Sequence, residues 1–235
     1  YDPGLFFDED GKVYVVHGQG TLYLTELNSD VKSVKGKPVK IWQGGFKNAH
    51  ELGGGFGMEG SHMYRINGKY YITCPAGGTG GWQICLRSDN IYGPYEHKLI
   101  MNDWSSYPEN GLHQGGMVQL KNGDWWFMIM QDRGPIGRVP CLVPVKWIDG
   151  WPMLGDEGKD LITYPKPATG KKSKIKSPAT TDEFNASQLG LQWQWNHNPD
   201  NSRWSLKERK GYMRLYASQA STLKDARNTL TQRVQ

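Results

Sequence analysis

The chain lacks the features that mark several large classes of protein. No run of 18 apolar residues occurs in its 235 residues, which excludes a hydrophobic spanning helix. Its three cysteines, Cys74, Cys85 and Cys141, have no metal-site spacing and are too few for a disulfide framework. Windows rich in Ala and Leu are scarce, which argues against a helical bundle. Charge of one sign is only in mild excess, 28 Lys and Arg against 23 Asp and Glu, for a net +5. Much of that excess sits in Lys171-Lys172-Ser173-Lys174-Ile175-Lys176, so a broad nucleic-acid face is not implied. An initiator methionine and a signal peptide are also missing. Tyr1 begins the chain and Thr231-Gln232-Arg233-Val234-Gln235 ends it without a turn or cap signal, so both ends read as cut.

What is present points to β structure. There are 30 Gly, 13 Pro, 10 Trp and 12 Tyr, and turn formers with aromatics are the signature of many short strands. Three segments repeat one pattern: Leu5 to Val16, His62 to Thr73, and Met117 to Met128. Each reads as a short strand, a tight turn closing on glycine, and an aromatic-rich strand. The turns are Asp10-Gly11, Asn67-Gly68 and Asn122-Gly123, where glycine accepts a positive φ at little cost. The glycines fall 57 and 55 residues apart. Further strand-like runs follow each hairpin, at Thr21–Leu27, Trp82–Ser88 and Cys141–Trp147. A period of this length built from about four strands predicts the blades of a β-propeller. A β-sandwich with coincidental hairpins is the alternative. A propeller needs at least about four blades to close, and this stretch shows three, so further blades are expected before Tyr1.

After Tyr164 the composition shifts. Residues 165–181 are rich in Pro, Lys, Ser and Thr without apolar periodicity and read as a linker. From Asp182 alternation returns, and Leu191–Trp195, Arg203–Lys207 and Tyr212–Tyr216 read as strands of a partial second β module. The expected organisation is all-β: propeller blades over 1–164, a linker over 165–181, and the start of a β-sandwich over 182–235.

In a propeller the inner strand of every blade lines one axis, so equivalent repeat positions converge. Counting back nine residues from each hairpin glycine gives Asp2, Glu59 and Gln114, with His113 beside the last. Convergent polar groups in a concave site are what a functional pocket requires. Two carboxyl groups across a shared funnel are the arrangement of acid–base chemistry, and glycoside hydrolysis uses it. Each residue also has a plainer reading. Asp2 before Pro3 could cap a turn. Glu59 between Gly57 and Gly60 could belong to a simple loop. His113 could be a satisfied buried histidine, although Gly111, Gly115 and Gly116 leave backbone room for a ligand or ion. Arg138 after Gly137 could be a surface arginine. Most of the tryptophans could be packing between blades.

These same residues carry a family resemblance. Asp2-Pro3-Gly4-Leu5-Phe6, then Glu59-Gly60-Ser61-His62, then Gly137-Arg138 leading into Pro144-Val145-Lys146-Trp147 and Asp149-Gly150-Trp151-Pro152, resemble glycoside hydrolase family 43. That family holds β-xylosidases and α-L-arabinofuranosidases, and Asp182-Glu183-Phe184 onward is similar to the C-terminal β-sandwich of some members. The resemblance implies a five-bladed propeller hydrolysing glycosides with inversion. It implies that Glu59 is the general acid, that Asp2 is the aspartate that modulates the acid and orients the sugar, and that Arg138 contacts the sugar. It implies that His113 lies on the axis near the substrate, or near a structural calcium; no cofactor is needed for the chemistry. The implied partners are arabinoxylan and xylo- or arabino-oligosaccharides, with no nucleic acid and no membrane span, and the implied setting is secreted or periplasmic. The family's general base is an aspartate in the first blade, in an earlier Asp-Pro motif. Asp2-Pro3 is the sole Asp-Pro here, so the base is expected outside these 235 residues, and this stretch by itself is expected not to hydrolyse glycosides. A non-catalytic carbohydrate-binding propeller and a protein-interaction propeller are the other function classes weighed.

Overall fold

The computed structural model describes residues 1–44, 57–103, 110–159, 163–170, 174, 176, 177 and 179–232. Two compact units divide the chain, residues 1–169 and 170–235. The expected linker straddles that boundary, and both it and the basic run at 171–176 lie partly outside the described residues. No helix among the described residues is long and apolar enough to cross a membrane.

The first unit contains three four-stranded antiparallel sheets, each a meander in chain order. The first holds β1 (Gly4–Phe7), β2 (Val13–Gln19), β3 (Thr21–Leu27) and β4 (Val39–Gln43). The second holds β5 (His62–Ile66), β6 (Lys69–Ala76), β7 (Trp82–Ser88) and β8 (Glu96–Met101). The third holds β9 (Leu112–Gln119), β10 (Trp125–Asp132), β11 (Arg138–Ile148) and β12 (Trp151–Leu154). The three repeats are therefore three propeller blades. Their inner hairpins turn at the predicted glycines: Gly11, Gly68 and Gly123 have φ of 83°, 79° and 94°. Asn67 is also left-handed, at 50°, so Asn67-Gly68 has positive φ at both central positions of its turn, as two-residue hairpins favour.

Burial follows from stacking one sheet on the next. Seven successive residues of β6, from Tyr70 to Ala76, are buried, because the middle blade is covered on both faces. Tyr70, Ile72, Cys74, Ile84 and Leu86 join Phe6, Val16, Leu22 and Leu24 in one core shared with the first blade. Tyr71 and Cys85 point the other way and join Leu112, Phe127, Ile129 and Val143 in the core shared with the third. A strand covered on both sides loses the apolar–polar alternation of a half-exposed one, as β6 does. On β1 alternation survives, and Leu5 and Phe7 are exposed.

Polar ties reinforce these interfaces. Asp8, on the first hairpin, is buried and accepts hydrogen bonds from Tyr70 Oη (2.8 Å) and Arg65 Nη1 (3.1 Å) of the second blade. Arg87 of β7 donates to Asp149 O at 2.9 Å and lies over the Trp151 ring at 4.1 Å, and Tyr71 Oη donates to Gly150 O at 2.9 Å.

The second unit carries short strands: β13 (Trp193–Trp195) pairs with β16 (Leu230–Gln232), and β14 (Trp204–Ser205) with β15 (Arg214–Leu215). Phe184 stacks on Trp193 at 5.7 Å, and Asp182 accepts from the Trp193 indole at 2.8 Å, which fixes the start of this module.

Candidate active site

Glu59 sits on a bend that the sequence builds from unusual backbone. Met58 and Gly60, on either side of it, have φ of 60° and 62°. Gly57 bridges to Ala76, and a Cβ there would stand 2.5 Å from Ala76 Cα, so the chain passes too close for any side chain. This bend is also tied to the first blade. Gly20, at the tip between β2 and β3, donates its N–H to Gly57 O at 2.9 Å, and Gln19 beside it donates from Nε2 to Glu59 Oε2 at 3.0 Å. Gln19 thus fixes one carboxyl oxygen of Glu59, a role that its position between Gly18 and Gly20 does not announce in the sequence.

Glu59 lines a cavity of about 170 Å³ with Pro75, Ala76, Thr79, His113, Gln114, Asp132 and Arg138. The third blade supplies four of these, two of them through one irregularity. The β9–β10 register shifts between Ile129 and Met130, with Ile129 opposite Gly115 and Met130 opposite His113. Gln114 is the extra residue, at φ 59°. A bulge of this kind lets the neighbours His113 and Gln114 both face the cavity, which strict alternation would forbid. Gln83, fully buried on β7, accepts the Gln114 N–H at 2.8 Å and holds the bulge in place. Gln114 therefore lies inside its strand, whereas Asp2 and Glu59 precede theirs.

His113 is buried, with Nδ1 3.1 Å from Gly111 O and Nε2 3.7 Å from Asp132 Oδ2. Burial lowers its pKa from the ordinary 6.5, against smaller opposing effects from Gly111 and Asp132, so the neutral ring is favoured. Asp132 ends β10 and faces Arg138 Nε at 3.6 Å. The Arg138 side chain is 67% exposed, leaving its guanidinium reachable from the cavity mouth. Asp132 was not singled out from sequence; its signal was the next hairpin in the repeat, where the end of the second strand reaches the axis. Cys74, near Glu59, is no nucleophile: burial, with a smaller push from the Glu59 charge, lifts its thiol to about 12.

Asp2 is exposed, left-handed at φ 34°, and not among the cavity-lining residues. It stands two residues before Gly4, as Glu59 stands two before Ser61. A Cβ on Gly4 would meet Ser61 O at 2.0 Å, so the two strand entries run side by side. The surroundings of His113 do not fit a metal. One imidazole and one carboxylate face each other there, and no group of three or more His, Cys, Asp or Glu able to hold an ion exists among the described residues. Calcium prefers six to eight oxygen ligands.

Four-stranded meander blades that bring a carboxylate, a histidine and an arginine to one cavity are a β-propeller with a polar functional pocket. The particular family follows from comparison: residues 1–152 match Glycosyl hydrolases family 43, and residues 181–235 match the β-xylosidase C-terminal concanavalin A-like domain. The chain belongs to glycosyl hydrolase family 43. It is 35% identical to a β-xylosidase of Formosa agariphila, over 92% of this chain and 41% of that protein. It is 33% identical to a non-reducing-end α-L-arabinofuranosidase of Bacteroides ovatus, over 91% of this chain and 42% of that protein. A bifunctional family 43 structure from Bacteroides eggerthii superposes with a TM-score of 0.81 at 38% identity, covering 99% of this chain and 30% of that one. The chain thus spans less than half the length of these relatives.

Proposed function

We propose that this chain carries the acid-bearing blades of an inverting glycoside hydrolase that removes xylosyl or arabinofuranosyl units from xylan- or arabinan-type polysaccharide outside the cytoplasm. The observation that carries the reading is Glu59, set on the wall of the axial cavity and held by Gln19 from the neighbouring blade. Glu59 gives its proton to the glycosidic oxygen as the bond breaks, while water attacks the opposite face of the sugar with help from a base on another wall. Arg138 and the neutral His113 hold sugar hydroxyls at the cavity mouth. Named relatives act on both pentoses, so the reading covers both.

General acid catalysis contributes about 10²–10⁴-fold, and it matters most when the leaving group is poor. In the complete enzyme, Glu59→Gln should therefore cost about that factor in kcat/KM on unactivated xylo- or arabino-oligosaccharides, and far less on aryl glycosides with acidic leaving groups. Equal losses on both substrate types would remove Glu59 from the acid role.

A further inference from the structure

A second concave site lies at the other end of the blades from Glu59. Glu59 precedes β5 and Asn67 follows it; Gln114 lies early in β9 and Gln119 ends it. Trp125 opens β10 and Trp147 lies near the far end of β11, so these four residues mark one end of the second and third blades. The five residues of β5, from His62 to Ile66, span roughly 17 Å between the two ends. With Arg65 and Ile66, the four line a cleft of about 330 Å³, within the range of small-ligand pockets.

The cleft is built and chemically selective. Trp147 is set edge-on between Tyr71 (5.4 Å, 77°) and Trp125 (5.7 Å, 78°), so its plane is fixed by packing. Trp126 beside it is buried, whereas Trp125 and Trp147 are only half-buried. Neither of those two indole N–H groups, nor the Asn67 amide, hydrogen-bonds another described residue. Gln119 donates from Nε2 to Gly123 O and keeps its own carbonyl oxygen available. Arg65 is the single charged residue of the lining, and Asp8 (3.1 Å) and Glu9 (3.4 Å) already balance it. The surface therefore offers flat aromatic area with several neutral donors and acceptors, and no uncompensated charge. A ligand suited to it has an apolar face and a rim of hydroxyls, without charge: a neutral sugar ring.

We propose that this cleft is a second carbohydrate site, distinct from the Glu59 cavity, that takes one or two rings of a neutral pentosan chain. The choice of pentosan rests on the reading of the Glu59 cavity as a glycosidase site; the choice of a neutral sugar rests on the cleft alone. Such a site holds polysaccharide on the protein while the cavity works elsewhere on the chain.

The test is a titration of the full chain with xylohexaose, followed by the indole N–H resonances of Trp125 and Trp147, each assigned through its Trp→Phe variant. Both resonances should shift on titration, and should shift equally in Arg138→Ala, which disables the cavity. Trp147→Phe should weaken the binding seen at Trp125 more than about tenfold, the cost of losing a tryptophan anchor. Should that variant fail to fold, Asn67→Asp keeps a residue that tolerates the left-handed turn and should weaken binding at least about threefold. Indole resonances that stay put at saturating xylohexaose, or shifts that vanish in Arg138→Ala, would overturn the second site. In those results, binding abolished by Arg138→Ala still supports the cavity, so the two readings fail separately.

Discussion

One of the ties between the first two blades runs through a tyrosine hydroxyl. Tyr70 Oη donates to the buried Asp8 carboxylate, whose other oxygen takes Arg65. Burial first, and then the bond to Asp8, raise the Tyr70 phenol from 10.0 to about 12. An unfolded chain releases that proton near pH 10, whereas the folded one keeps it until about 12. The stabilisation is complete below pH 10 and is lost as pH rises from there towards 12. Burial shifts Tyr14 and Tyr95 in the same direction. Tyr70→Phe should cost about 1–2 kcal/mol at neutral pH, because a charged acceptor loses a donor. It should also make the fall of melting temperature above pH 10 shallower than in the unmutated protein. An unchanged alkaline slope would show that Tyr70 does not couple to folding. Gln19 is the second residue whose effect is specific. Gln19→Leu leaves the volume of the side chain nearly intact but frees Glu59 Oε2 from its one described partner. In an active preparation of the enzyme, kcat/KM should drop about tenfold on poor leaving groups and hardly at all on good ones. A uniform loss across leaving groups would mean that Gln19 merely supports the fold.

At the scale of elements, the bulge in β9 decides which side chains reach the cavity. Its glycine cannot be replaced: Gly115 has φ 157°, and a Cβ there would sit 1.8 Å from Met128 O. Gly115→Ala must push β9 off β10, and a cost of about 3 kcal/mol or more is expected from chemical denaturation. A loss under about 1 kcal/mol would show that the bulge relaxes freely. The same element marks where the sequence could be read and where it could not. Asp10-Gly11, Asn67-Gly68 and Asn122-Gly123 are local signals, because the turn chemistry is contained in two residues, and the inner hairpins follow from them. Glycines around His113 gave a sign of close backbone approach, but nothing local identifies Gln114 as the extra residue; only its pairing with β10 does. The outer strands β4 and β8 were illegible for a related reason. Three of the five β4 residues are exposed, and β8 passes from exposed Glu96 and His97 to buried Ile100 and Met101, so neither shows an apolar–polar alternation of its own.

At the scale of the whole molecule, the candidate site exists only because blades are stacked. The first contributes Gln19, the entry to the second contributes Glu59, and the third contributes His113, Gln114, Asp132 and Arg138. Repeat spacing made Glu59 and Gln114 findable, since equivalent positions share an axis. Gln19 and Asp132 occupy another repeat position, the ends of second strands, which counting back from the hairpin glycines does not reach. This assembly also bears on stereochemistry. A retaining mechanism needs a second carboxylate about 5–5.5 Å from the acid and free to attack the sugar. The second carboxylate of the described lining is Asp132, with Oδ2 3.7 Å from the neutral His113 ring and Oδ1 3.6 Å from Arg138 Nε. In the inverting reaction proposed above, water and not Asp132 attacks the sugar. The first sugar released by an active preparation should therefore have the anomeric configuration opposite to that of the substrate. Proton NMR during the first minutes of hydrolysis, before mutarotation, reads this directly, and initial release of the retained anomer would assign Asp132 or another nearby carboxylate a covalent role.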